Sequence, residues 1–192
     1  MPTTSTLRPR MSRLVTEIRD ALRTPRSGTE AVARRVAGLV GDCLHHDDLL
    51  TADQLAPDPS AYRQHVLHVE PDGSFSVVAL VWLPGQSTPI HDHVSWCVVG
   101  TYQGAEEEIR YRLIDDRGSA CLEPVDIAVN RTGEVAYLVP PGDIHEVRGV
   151  GESTTASLHV YGTDVTRLGT SIRRRYDLPV RVTSRPASAG RT

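Results

Sequence analysis

Between Tyr62 and Tyr161 the chain never settles into a helical repeat; short segments of β-forming residues follow one another, each closed by turn residues. Strands are predicted at Tyr62–Val69, Ser74–Leu83, Trp96–Tyr102, Glu107–Leu113, Ala120–Val129, Glu134–Val139, Ile144–Gly149 and Thr154–Tyr161. Pro71-Asp-Gly73, Pro84-Gly85, Gln103-Gly104, Asp116-Arg-Gly118 and Arg131-Thr-Gly133 separate them, and such pairs favour tight turns over continued strand. Short strands joined by turns, with no helices between, favour a jelly-roll barrel over a parallel α/β sheet.

Helical periodicity is confined to the flanks. Met11–Thr24 puts Leu14, Val15, Ile18 and Leu22 on one stripe, and Gly28–Leu44 does the same with Val32, Val36, Leu39 and Val40. Asp164–Arg175 reads as a short final helix. Residues 1–10 are expected to be a flexible N-terminus, 11–181 a single mainly β domain with an N-terminal helical segment, and 182–192, rich in Ser, Pro, Ala, Gly and Arg, a disordered tail. At 192 residues, one domain of this size can bury a real core. A net charge of −3 offers no basic face for nucleic acid or an anionic membrane, and no stretch approaches the ~20 apolar residues of a membrane span. Cys43, Cys97 and Cys121 are odd in number and widely spaced, with no signal peptide before them, so a reduced cytoplasmic setting is expected. The acidic run Glu106-Glu107-Glu108 reads as a solvated strand edge.

The chemistry concentrates at His91-Asp-His93. A strand's period of two points His91 and His93 to one face and Asp92 to the other, so one strand supplies two ligands. His145, after the turn Pro140-Pro-Gly142-Asp-Ile, supplies a third. The text from Gly85 to Gly104 fits the first cupin motif, G-x5-H-x-H-x3-E-x6-G, with Cys97 in place of the glutamate, and Pro140 to His145 fits P-x-G-x2-H of the second. The fold expected is therefore a cupin, a double-stranded β-helix barrel. Three neutral imidazoles without a carboxylate leave a divalent ion's charge uncompensated and positions open to anionic ligands and oxygen; imidazole alone does not choose among iron, zinc, copper and nickel. Ser157, His159 and Tyr161 share one strand face and can hydrogen-bond in sequence, which would fix the position of a phenol.

Trp82-x-Pro-Gly-Gln-x-Thr-Pro-Ile-His-Asp-His-x-x-Trp-Cys97, together with Ser157-Leu-His159-Val-Tyr161, resembles the cysteine dioxygenase type I family over roughly Tyr62 to Tyr176. The resemblance implies an Fe(II) cofactor on His91, His93 and His145, and oxidation of a small thiol by O2 to a sulfinic acid. It implies that Tyr161, held by His159 and Ser157, points at bound substrate. Cys97 stands where animal-type members carry a cysteine covalently bonded to that tyrosine, once a one-residue gap is allowed, whereas 3-mercaptopropionate dioxygenases usually have glycine there. Substrate choice in the family follows a strand residue near Tyr62, and the Tyr-x-Gln likeness selects Gln64 over Arg63, with an arginine of Arg173–Arg175 as a further candidate for carboxylate binding. Small thiol and O2 are the partners implied, in a monomer or homodimer. The alternatives are a non-catalytic cupin that binds a metal or small molecule, and a cupin dioxygenase or isomerase acting on another substrate.

Overall fold

The computed structural model describes residues 7–23, 28–116 and 118–181. Two helices lead, α1 (Pro9–Leu22) and α2 (Thr29–Leu44). Pro9 opens α1, where its missing N–H costs nothing and its fixed φ suits the first turn. The flexible stretch expected over residues 1–10 therefore does not reach Pro9; residues 1–6, like the tail expected at 182–192, lie outside the described set.

Among the described residues ten strands follow: β1 (Arg63–Val69), β2 (Ser76–Trp82), β3 (His91–His93), β4 (Cys97–Gln103), β5 (Ala105–Asp116), β6 (Ser119–Arg131), β7 (Val135–Leu138), β8 (His145–Val150), β9 (Thr155–Tyr161) and β10 (Ile172–Arg175). They form two five-stranded antiparallel sheets, β1-β2-β9-β4-β7 and β10-β3-β8-β5-β6, the jelly-roll arrangement expected.

The central strands of the first sheet, β2, β9 and β4, are buried on both faces, which is why β2 reads Ser-Val-Val-Ala-Leu-Val-Trp without alternation. Val77, Ala79 and Val81 of β2, Val98 of β4, and Ala156, Leu158 and Val160 of β9 pack outward against Leu14, Ile18, Val36 and Val40 of the helices. The intervening positions, Val78, Leu80, Trp82, Cys97, Val99 and Tyr161, face the barrel interior. Each fully buried aliphatic side chain in these layers stabilises by about 1.5–3 kcal/mol.

The last helix is one turn long. α3 (Val165–Leu168) is capped by Asp164, whose carboxylate accepts from the backbone N–H groups of Thr166 and Arg167. Gly169 ends it with φ at 73°, a conformation that costs glycine little. The helix expected to run to Arg175 thus stops, and Ile172–Arg175 pairs with β3 as β10.

Gly162, directly after β9, packs against the indole of Trp96; a Cβ there would lie 2.1 Å from Trp96 Nε1. Because a buried indole is stiff, Gly162→Ala should destabilise by about 1–3 kcal/mol. At about 2–4 °C per kcal/mol, a thermal melt reads this as a drop of several degrees. An unchanged midpoint would show that Trp96 gives way freely.

Candidate metal centre

β3 sends His91 and His93 into the barrel, and His145, at the start of β8, is His91's register partner. The three ring centroids are 4.7, 4.8 and 5.0 Å apart, and one ligand atom from each ring lies within 4.8 Å of the others. All three residues are buried.

Each imidazole is held from behind. His91 Nδ1 lies 2.8 Å from the Pro89 carbonyl oxygen. His93 Nδ1 lies 3.0 Å from Asp143 Oδ2, which also accepts the His93 backbone N–H at 2.9 Å. His145 Nδ1 lies 3.1 Å from Glu108 Oε1. An acceptor at every Nδ1 keeps the proton there and leaves Nε2 free to ligate. Burial, then the two neighbouring rings, depresses His91 to about 3, and burial likewise lowers His93, so both are neutral, the form that binds metal. His145 Nε2 is buried without a protein partner among the described residues. Three oriented ring nitrogens converging on one point fit a transition-metal ion.

The sequence shows Glu108 only as part of the acidic run and Asp143 only as part of the turn before His145, and neither place tells of its partner. Burial raises the Glu108 carboxyl, but its hydrogen bond to His145 and the charge of Arg110 outweigh this and hold it at about 2. An ionised carboxylate behind a ligating imidazole raises its basicity, so Glu108→Ala should weaken metal binding by about 10–100-fold. Competition against a chelating dye measures this, and unchanged affinity would remove Glu108 from the centre.

Asp92 turns away from the centre. It accepts the Tyr176 hydroxyl at 2.8 Å and pairs with Arg173, fastening β10 over β3. Arg173 is therefore spent on Asp92, and the run Arg173–Arg175 is an exposed strand rather than the end of a helix.

Beside the histidines, β9 directs Ser157, His159 and Tyr161 inward. Ser157 Oγ lies 2.9 Å from His159 Nε2, and His159 Nδ1 lies 3.1 Å from the Tyr161 hydroxyl. Trp82 Nε1 donates to Ser157 Oγ at 3.4 Å. Burial, followed by His93 and His145, brings His159 down to about 3, so this ring is also neutral. Burial, reinforced by neighbouring Cys97, pushes the Tyr161 phenol well above its usual range. Cys97 is Tyr161's register partner across the β4–β9 ladder, and burial raises its thiol too.

The three histidines, His159 and Tyr161 line one cavity, walled by Leu80, Trp82 and Val147. Gln64 stands exposed at its rim, with its amide nitrogen 3.4 Å from the Tyr62 hydroxyl. Arg63 reaches instead to the Ala56 carbonyl, and no arginine among the described residues lines the cavity.

The acidic run is not a solvated edge. Glu107 faces out toward Arg148, but Glu106 and Glu108 are buried, at 0% and 3% exposure. Strand alternation separates Glu107 from its neighbours, and the pairing of β5 with β8 turns the even positions inward.

A jelly-roll barrel that gathers three histidines on two neighbouring strands in its interior is a cupin. The family model for cysteine dioxygenase type I matches residues 11–169, and the chain belongs to that family. It is 30% identical over 94 residues to a cysteine dioxygenase type 1 from Danio rerio, covering 48% of this chain and 47% of that protein. The chain thus matches about half the length of this curated relative. Among solved structures it is similar to TT1209 from Thermus thermophilus, with 22% identity, TM-score 0.43, and 59% of this chain and 95% of that one covered. An uncharacterised double-stranded β-helix protein from Klebsiella pneumoniae matches with 16% identity, TM-score 0.46, and 62% and 88% covered.

Proposed function

We propose that the protein is an Fe(II)-dependent thiol dioxygenase that converts a small thiol, cysteine or 3-mercaptopropionate, and O2 into the corresponding sulfinic acid. One observation carries the reading: a carboxylate-free set of three imidazoles shares its cavity with a tyrosine hydroxyl anchored through His159 and Ser157. His91, His93 and His145 would hold the iron, which when bound supplies a Lewis-acidic centre that favours the substrate's thiolate and admits O2 beside it.

The protein's own groups supply the rest. Neutral imidazoles bring no negative charge to oppose a thiolate, as a glutamate ligand would. Tyr161, with its phenol kept protonated, offers an O–H donor to the reacting oxygens. Leu80, Trp82 and Val147 exclude water from that donor. Gln64 at the rim offers an amide donor to a carboxylate, without the charge and bidentate geometry of arginine. The register pairing of Cys97 with Tyr161 supports a thioether between them, whose formation removes one hydrogen from the thiol and one from the ring with O2 as oxidant. Intact mass after aerobic turnover should be lighter by two hydrogens, and a peptide carrying only free Cys97 would exclude the bond. The free cysteines Cys43, Cys97 and Cys121 suit a reducing cytoplasm.

The test is to load the protein with Fe(II) and follow oxygen uptake with cysteine, 3-mercaptopropionate, cysteamine and mercaptosuccinate, identifying products by mass. Uptake matched by a sulfinate is expected. Metal bound stoichiometrically, with no uptake from any thiol, would overturn the reading in favour of a binding protein.

A further inference from the structure

Behind Ser157 lies a carboxyl group that the proposed reaction does not use. Glu106 on β5 is 0% exposed, and neither of its oxygens has a hydrogen-bond partner among the described residues. The Ser157 hydroxyl is the polar group that acts on it most strongly, from just outside bonding distance. An unpartnered carboxylate in such a place is costly, and either a proton or an approach to Ser157 relieves that cost. The register partners of Glu106 are Gly149 on β8 and Asn130 on β6, neither of which is ionisable. The ionisable groups facing this region are Glu108 on its own strand, already tied to His145 and Arg110, His159 beyond Ser157 on β9, and Cys97 on β4, whose thiol burial pushes well up and so keeps protonated. Trp82 on β2 contributes only its N–H, to Ser157.

We infer that Glu106 is a positioning residue that closes the inner end of the Ser157–His159–Tyr161 chain and, by gaining or losing a proton, sets the direction in which the hydrogens along it point. The donor count leaves two arrangements. A neutral imidazole has one N–H and one lone pair, and a hydroxyl has one O–H. With Glu106 protonated, its O–H goes to Ser157, Ser157 donates to His159 Nε2, His159 Nδ1–H donates to the Tyr161 oxygen, and the phenol proton is free to face the cavity. With Glu106 ionised, Ser157 turns its O–H to the carboxylate, accepts from His159 Nε2–H, and Nδ1 accepts the phenol proton, which then points away from the cavity. Trp82 N–H suits both, since Ser157 Oγ has two lone pairs.

Burial, eased by Ser157 and compounded by Glu108, lifts the Glu106 carboxyl to about 7, so both arrangements are reachable near neutral pH. His159 stays neutral throughout, and only its tautomer changes.

This inference rests on the proposed role of Tyr161, and the test separates the two. Imidazole nitrogen NMR on the metal-free protein, from about pH 5.5 to 9, reports which nitrogen of His159 carries the proton. The expected result is mainly Nδ1–H at the acid end and mainly Nε2–H at the alkaline end, with a carboxylic-acid carbonyl band in difference infrared lost over the same range. Glu106→Gln should hold His159 as Nδ1–H at every pH. Ser157→Ala should leave the carbonyl band titrating while His159 no longer follows it. A His159 tautomer that does not change with pH in the unsubstituted protein, or one that still changes in Glu106→Gln, overturns the inference. A pH-dependent tautomer in a protein that oxidises no thiol supports the inference and overturns the dioxygenase reading.

Discussion

Replacing His91 with alanine is expected to empty the centre of metal while the barrel stays folded. Removing one of three converging nitrogens leaves two, His93 and His145, still oriented by Asp143 and Glu108 but unable to enclose an ion. The loss should exceed the ~100-fold that altering a supporting carboxylate costs, because a metal–ligand bond itself disappears. The fold should persist, since β3 contributes its pairing to β8 and β10 through backbone bonds that alanine keeps. Metal content after gel filtration, with circular dichroism as the control, measures both. Retained stoichiometric metal would remove His91 from the ligand set.

Tyr161→Phe is the complementary change, expected to leave metal in place and to slow turnover. Phenylalanine keeps the ring between Cys97 and His159 but removes the one hydroxyl at the cavity end of the chain. Loss of one pre-oriented donor to a developing oxyanion costs about 10²–10³ in rate, and the loss here should fall in that range. His159 Nδ1 also loses its partner, so a drop in stability of about 1–3 kcal/mol should accompany the kinetic effect. Oxygen uptake by the iron-loaded variant, normalised to metal content, is the measurement. A rate within about threefold of the parent, against the 10²–10³ expected of such a donor, would show that the phenol does not act on the reacting atoms.

The elements that carry the centre were readable because their signals are local. His91 and His93 obey the strand period of two, the Pro-Gly turn marks the start of β8, and the helices carry an uninterrupted apolar stripe. What escaped depends on partners distant in the chain. Ile172–Arg175 has little strand character of its own, and only the ladder with β3 and the Asp92 pairing make it one. In the acidic run the alternation was visible but its phase was not, because the pairing of β5 with β8, forty residues on, decides which glutamates turn inward. Glu108 and Asp143 act through His145 and His93, and although Asp143 lies within the Pro140–His145 motif and Glu108 within the acidic run, neither place in the chain tells which imidazole the carboxylate backs.

The central strands buried on both faces have a practical consequence for anyone wishing to trim this protein. The strand bearing Ser157, His159 and Tyr161 also bears Ala156, Leu158 and Val160, which seat the N-terminal helices. A barrel cut out without α1 and α2 would show a wide oily sheet to water, an invitation to aggregation, and would unclamp the strand on which the chemistry is proposed to depend. The helices carry no motif of their own, yet they are the mould that holds the working strand straight, and a smaller scaffold must supply a substitute for them.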